Sequence, residues 1–246
     1  MIKIIKKTEQ INATLFSGNF YTNKTVAQGA GADIAPYSNI YYWSHARATG
    51  PCEFGLHGHE GFEIMTFIWE GENAHYDTYS KKWTPLSKGE FQVIQSGGGL
   101  QHAEKLIKGT RSFQIWFDPN FKSALHKNPH YQDYSVKNWE NVEENGFKVQ
   151  YYIGGNSPAN CDTEGLIIKK IEAITEGALS LPLDISKHHH FYQLDRESII
   201  NGMPLSMDDA AKIHGEEQVS LELGIGASLF LIETPINLSY PAVWTI

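Results

Sequence analysis

Residues 56–63 read Leu56-His57-Gly58-His59-Glu60-Gly61-Phe62-Glu63 and run straight into Ile64-Met65-Thr66-Phe67-Ile68-Trp69. A run of four to eight β-branched and aromatic residues closed by glycine reads as a strand, and Gly71 supplies the stop. Alternate side chains of an extended chain share a face, so His57, His59 and Glu63 are expected to project together. A second segment, Gly97-Gly98-Gly99-Leu100-Gln101-His102-Ala103-Glu104, repeats the device with His102 and Glu104 two residues apart. If the two strands are neighbours, their inward faces bring three imidazoles and one or two carboxylates to a point.

Working outward, Thr14 to Phe117 is a succession of short alternating or apolar runs separated by Gly, Pro, Asn and Asp, with Glu63–Trp69, Gly89–Ile94 and Arg111–Phe117 the clearest. Turn signals every 8–12 residues or so favour an antiparallel sandwich or barrel over alternating strands and helices. From Asp118 to Gly146 the chain turns polar and aromatic without periodicity, and reads as a connector with one short helix. Beyond it, strands are expected at Lys148–Ile153, Gly165–Ala173, Ala178–Leu183, Phe191–Leu194, Gln218–Leu223 and Ser228–Glu233, with a tight turn at Asn201-Gly202. Asp208–Lys212 is the one helix-like stretch of this half, and His188-His189-His190 reads as a solvated loop. The expected architecture is all-β, two tandem jelly-roll-like barrels or sandwiches packed together. The domains are then 1–120, carrying the site, a connector at 121–147, and 148–246.

Composition narrows the functions. The chain has 246 residues, 41% hydrophobic, with a formal charge of −8. That balance opposes direct nucleic-acid binding, whose affinity comes from Lys and Arg neutralising phosphates. No apolar run approaches the roughly 20 residues of a membrane span, and two cysteines, Cys52 and Cys161, make neither a disulfide framework nor a thiolate metal site. The sequence reads as cytoplasmic, and two β-units in one chain are compatible with a monomer. The outlying count is histidine, at 11.

Three neutral imidazoles and a carboxylate suit a divalent transition ion, with Fe(II) foremost and Ni, Mn, Cu, Zn or Co as alternatives, and do not suit Ca(II) or Mg(II). Four protein ligands leave an octahedral ion two open positions, the mark of a catalytic rather than a structural metal. His188 and His190 could share a second ion only with each other, since adjacent strand residues point to opposite faces.

The two segments closely resemble the paired motifs of the pirin family of cupins. The first motif, H-P-H-R-G-F-E followed by an apolar strand and E-G, is matched without a gap from His57 to Gly71. The second, G-D-V-Q-W-M-T-A-G-R-G-I-V-H-S-E, is matched from Gly89 to Glu104. The resemblance implies metal ligation by His57, His59, His102 and Glu104, with Glu63 a pocket residue, His75 and Asp77 supporting structure, and a second barrel without ligands. It departs at Gly58 and Glu60, where the family has Pro and Arg, at Gly98 for Arg and at Ala103 for Ser. The two lost arginines imply a roomier, more acidic pocket mouth.

The same resemblance implies a quercetinase-type oxidoreductase, a metal-dependent dioxygenase that cleaves a flavonol-like aromatic enol with O2, with Glu104 accepting the substrate proton. The alternative it carries is a non-catalytic metal- or redox-sensing regulator that binds a protein partner. Cupin barrels also support isomerases and sugar-binding proteins, since fold alone does not give function.

Overall fold

The computed structural model describes all 246 residues as 22 strands, one α-helical turn and four short 3-10 turns. The strands before the helical turn α1 (Phe121–Ala124) are β1 (Ile2–Ile5), β2 (Ile11–Leu15), β3 (Phe20–Val26), β4 (Ile40–Ala48), β5 (Cys52–His59), β6 (Glu63–Glu70), β7 (Glu72–Asp77), β8 (Trp83–Ser87), β9 (Glu90–Gln95), β10 (Leu100–Leu106) and β11 (Arg111–Phe117). After it come β12 (His130–Ser135), β13 (Val142–Glu144), β14 (Phe147–Ile153), β15 (Ile167–Ala173), β16 (Ala178–Pro182), β17 (Lys187–Gln193), β18 (Ser198–Ile200), β19 (Met203–Leu205), β20 (Ala210–His214), β21 (Gln218–Leu223) and β22 (Ser228–Pro235). No helix is long and apolar enough to cross a membrane.

Two compact units result. The N-terminal unit comprises Ile11–Lys137, Cys161–Thr163 and Ser239–Ile246, and the C-terminal unit comprises Met1–Gln10, Asn138–Asn160 and Glu164–Leu238. These interleaved segments differ from the contiguous spans expected from sequence, because the first strand pairs inside the C-terminal unit and the supposed connector contains strands of both units.

Each unit is a sandwich of one seven-stranded and one four-stranded antiparallel sheet. In the N-terminal unit the orders are β12-β9-β6-β11-β4-β3-β2 and β5-β10-β7-β8. In the C-terminal unit they are β1-β20-β17-β22-β15-β14-β13 and β16-β21-β18-β19. Adding eleven to each strand number of the first unit reproduces the second, except that β1 stands where a copy of β12 would be. The topology is therefore duplicated although no sequence repeat is legible. Neither sandwich closes into a full barrel.

The interiors differ. Phe147, Val149, Ile171, Phe191, Ala211, Ile213 and Leu231 of the large C-terminal sheet pack on Leu181, Val219, Leu221 and Leu223 of the small one in a continuous apolar core. In the N-terminal unit the cluster of Phe20, Ala46, Ala48, Cys52 and Leu106 borders a cavity whose lining is partly polar.

Two local readings are corrected. Lys187–Gln193 is one strand at the middle of its sheet, so His189 and His190 are buried rather than part of a solvated loop. Asp208–Lys212 is not helical, because β20 is paired on both sides, by β17 and β1, and buries Ala210 and Ala211 completely. Pairing on both edges outweighs the modest helix preference of five residues.

The β1 strand is held by more than its ladder. Ile5 is buried, Ile2 and Ile4 pack on the core, and Asp209 accepts hydrogen bonds from the Lys6 ammonium (2.9 Å) and the Lys7 amide (2.8 Å). Deleting Met1–Lys7 uncovers the β20 edge, and bare edges recruit other chains. The expected outcome is a lower urea midpoint together with concentration-dependent light scattering. An unchanged midpoint would show that β1 is not structural.

Candidate metal centre

The centre is built by the antiparallel pairing of β5 with β10. Their register sets His57 opposite His102 and Leu100 opposite His59. The three imidazoles thus meet on one face, with ring centroids 4.3 Å apart for His57–His102, 4.8 Å for His59–His102 and 5.0 Å for His57–His59. One ligating nitrogen from each lies within 4.8 Å of the others.

The hydrogen bonds prepare these rings as donors to a cation. The Nδ1–H of His57 donates to the Gly55 carbonyl (2.8 Å), which leaves its Nε2 lone pair free. His102 is buried with neither ring nitrogen hydrogen-bonded, and His59 Nε2 is buried without a partner. A buried polar atom without a partner costs about 1–3 kcal/mol, and a divalent ion bound by imidazole nitrogens at about 2.0–2.1 Å removes that cost at His59 Nε2 and at one nitrogen of His102. Burial pushes the His102 imidazole down to about 2, helped by repulsion from His59, His57 and His75, and pushes His59 down to about 4. Both rings are therefore neutral at pH 7, the form that ligates.

Glu104 lies on the same side of β10, after a bulge between His102 and Glu104, but it is not gathered with the three imidazoles. Both its carboxylate oxygens accept from Gln114 Nε2 (3.1 and 2.9 Å). Trp116 Nε1 donates to Gln114 Oε1 (3.2 Å), which fixes the amide so that its NH2 faces Glu104. Burial raises the Glu104 carboxyl above its ordinary range, opposed by its hydrogen bonds and by His57. Trp116 also sets its edge against His59, centroids 4.7 Å apart.

Glu63 is elsewhere. It is buried, and accepts from the Asp162 amide (2.7 Å), the Thr163 amide (2.9 Å), Gln95 Nε2 (2.7 Å) and the Thr163 hydroxyl. The shared-face expectation fails because Gly61, at φ +72°, turns the chain between β5 and β6, which lie in different sheets. Glu63 anchors Cys161–Thr163 instead of lining the metal pocket. His75 and Asp77 sit beside the centre on β7, fully buried, with His75 stacked on Tyr131 and Asp77 capping the turn at Tyr79 and Ser80.

The corresponding positions of the C-terminal unit follow from its register. Leu181 lies opposite Val219 as His57 lies opposite His102, and the two remaining positions are Leu183 and Leu221. All four are buried and apolar. Sequence reasoning missed Gln114 and Asn73, which belong to no motif and reach the site only through the register of β11 and β7.

Comparison with known proteins agrees with this geometry. Residues 22–117 match the Pirin family model. A quercetin 2,3-dioxygenase of Escherichia coli strain K12 is 23% identical, over 74% of this chain and 76% of its own. A pirin-like protein of Caulobacter vibrioides is 24% identical, over 78% and 81%. The crystal structure of the bacterial pirin YhhW of Escherichia coli in complex with nickel(II) superposes with a TM-score of 0.79 at 19% identity, covering 96% of this chain and 99% of that one. Over residues 22–117 the chain is similar to the pirin family.

Gly98, which stands where the family motif has Arg, does not open the pocket. A Cβ there would lie 2.8 Å from the Leu125 carbonyl oxygen, and one on Gly97 would lie 2.5 Å from that of Lys127, so residues 125–127 occupy the space an arginine side chain would need. Chemically, the three gathered imidazoles offer a site suited to a divalent transition ion.

Replacing His102 by Val reproduces what the C-terminal unit does at Val219. The expected variant binds no divalent ion, yet its metal-free form melts no lower than metal-free wild type, because an unpartnered buried imidazole has been exchanged for an apolar group. In wild type the unfolded chain takes up the His102 proton at about pH 6.5 while the folded chain refuses it until far lower. Metal-free stability therefore falls as pH drops below 6.5, by about 1.4 kcal/mol per unit for each such histidine. Thermal melts from pH 7 to 4.5 should show a shallower acid limb in the variant.

Proposed function

We propose that the three-histidine centre serves a metal-dependent dioxygenase that cleaves a flavonol-type aromatic enol with O2. The observation that carries this reading is that His57 and Glu104 line the same cavity, about 310 Å³ in volume, together with the aromatic edges of Phe20, Phe54 and Tyr42. That volume lies at the lower end of small-molecule pockets and suits one compact ligand. The quercetin dioxygenase among the relatives supports the reaction class, and the nickel-bound pirin supports a divalent ion.

His57, His59 and His102 would hold the ion, with Glu104 as a fourth ligand if its carboxylate turns away from Gln114. Fe(II) best suits oxygen chemistry on this donor set, and Ni, Mn, Co, Cu and Zn share the preference for imidazole nitrogen. When bound, such an ion supplies a Lewis-acid centre that acidifies an enol oxygen and leaves positions open for O2.

The protein's own groups do the rest. Glu104 accepts the enol proton at a carboxylate oxygen, and its burial raises its basicity toward the value a general base needs. Gln114, itself oriented by Trp116, holds the carboxylate toward the cavity. Phe20 and Phe54, edge to face at 5.0 Å, offer an apolar wall for the substrate ring, and the enclosed sandwich interior limits water.

An oxygen electrode tests the reading on protein reconstituted separately with each metal. Uptake that depends on flavonol is expected with at least one ion. Glu104→Gln should lower kcat by about 10²- to 10⁴-fold, the usual cost of losing a general base. No flavonol-dependent uptake with any ion would contradict the proposal.

A further inference from the structure

The cavity beside the metal centre has a lining that the reaction at His57 and Glu104 does not account for. Across the inner face of the seven-stranded sheet, Lys24 lies opposite Ser44, Ser44 opposite Gln114, and Gln114 opposite Thr66. This is a continuous polar row over β3, β4, β11 and β6, and all four residues line the cavity. Three more polar residues of the lining, Thr22, Asn73 and Ser112, extend it.

Several of these groups are buried with hydrogen-bonding capacity unused. Thr22 Oγ1, Thr66 Oγ1 and Asn73 Oδ1 have no partner, although their residues are only 6%, 2% and 3% exposed. A sandwich could fill such positions with Leu and Val, as the C-terminal unit does. Leaving them polar costs stability unless a bound molecule or water meets them.

Lys24 is the one Lys or Arg of the lining. Its ammonium lies 5.3 Å from the centroid of the Tyr42 ring and makes no ion pair. Glu104, the one acid of the lining, is engaged by Gln114. Glu60, the acidic replacement near the metal motif, does not line this cavity but a second depression, together with Gly58, His59 and Gln101. Lys24 and Gln114 are two strands apart, which at about 4.8 Å per strand separates their backbones by roughly 10 Å, a span on the scale of an aromatic acid with one or two rings.

We propose that Lys24 is the specificity-determining residue of the cavity, and that the preferred substrates are hydroxylated aromatic compounds carrying a carboxylate, which pairs with the Lys24 ammonium. The substrate's hydroxyls meet Thr22, Thr66 and Asn73. Its reacting enol points to His57 and Glu104, an orientation that rests on the dioxygenase reading above. Charge-assisted pairing of this kind is stronger than a neutral hydrogen bond and sets which molecules bind and in which direction.

The test is anaerobic binding of a matched pair, 3,4-dihydroxybenzoate and catechol, to metal-reconstituted protein, followed by quenching of tryptophan fluorescence and confirmed by calorimetry. Wild type should bind the carboxylate at least about tenfold more tightly, the worth of one modest ionic contact. Lys24→Met should abolish the difference and Lys24→Arg should keep most of it, with circular dichroism confirming that both are folded. Equal affinities in wild type would overturn the proposal. So would a preference that survives in Lys24→Met, since the carboxylate would then be bound by the metal or elsewhere. Oxygen uptake, measured separately, reports on the other reading: a Lys24-dependent preference without uptake contradicts the dioxygenase alone, and uptake without the preference contradicts Lys24 alone.

Discussion

The pairing of β5 with β10 is the constraint on which the site depends. A register that sets His57 against His102 brings two imidazoles together across strands, and period-two alternation adds His59 from the same strand. A slip of one residue would send every one of these rings to the other face. Gly61, which ends the β5 turn at φ +72° beneath the Phe121 ring, and the Gly97–Gly99 loop, packed against the backbone of residues 125–129, hold the adjacent turns in place. The gathering of three imidazoles is thus a consequence of sheet register reinforced by close backbone packing.

The duplicated sandwich provides an internal control for what the site costs. One interior is filled by Leu181, Leu183, Val219 and Leu221, and the other holds histidines, hydroxyls and an amide with unmet hydrogen bonds at the same depth. The same topology accommodates both because strand pairing fixes the scaffold while inward side chains are free to vary. Function on this fold is therefore decided at a few inward positions, as general experience of widely shared folds leads one to expect.

Much of this was legible in sequence. Turn spacing and short apolar runs identified an all-β chain, and the paired H-x-H and H-x-E segments identified the three histidines that come together. What was not legible depends on long-range geometry. Glu63 shares odd numbering with His57 and His59, but a single glycine turn moves it to another sheet, where it binds the backbone of Asp162 and Thr163. Asp208–Lys212 reads as helix in isolation, yet β20 is flanked by β1, some two hundred residues away in sequence. Gln114 and Lys24 carry no motif, and only the register across β3, β4 and β11 shows that they face one cavity with Glu104.

Crystals of protein loaded with one equivalent of a divalent transition ion, measured at that ion's absorption edge, would locate the ion directly by anomalous scattering. A single strong peak is expected about 2.1 Å from one nitrogen each of His57, His59 and His102. A peak placed at other side chains, or none there under loading conditions, would contradict a metal centre on these three histidines.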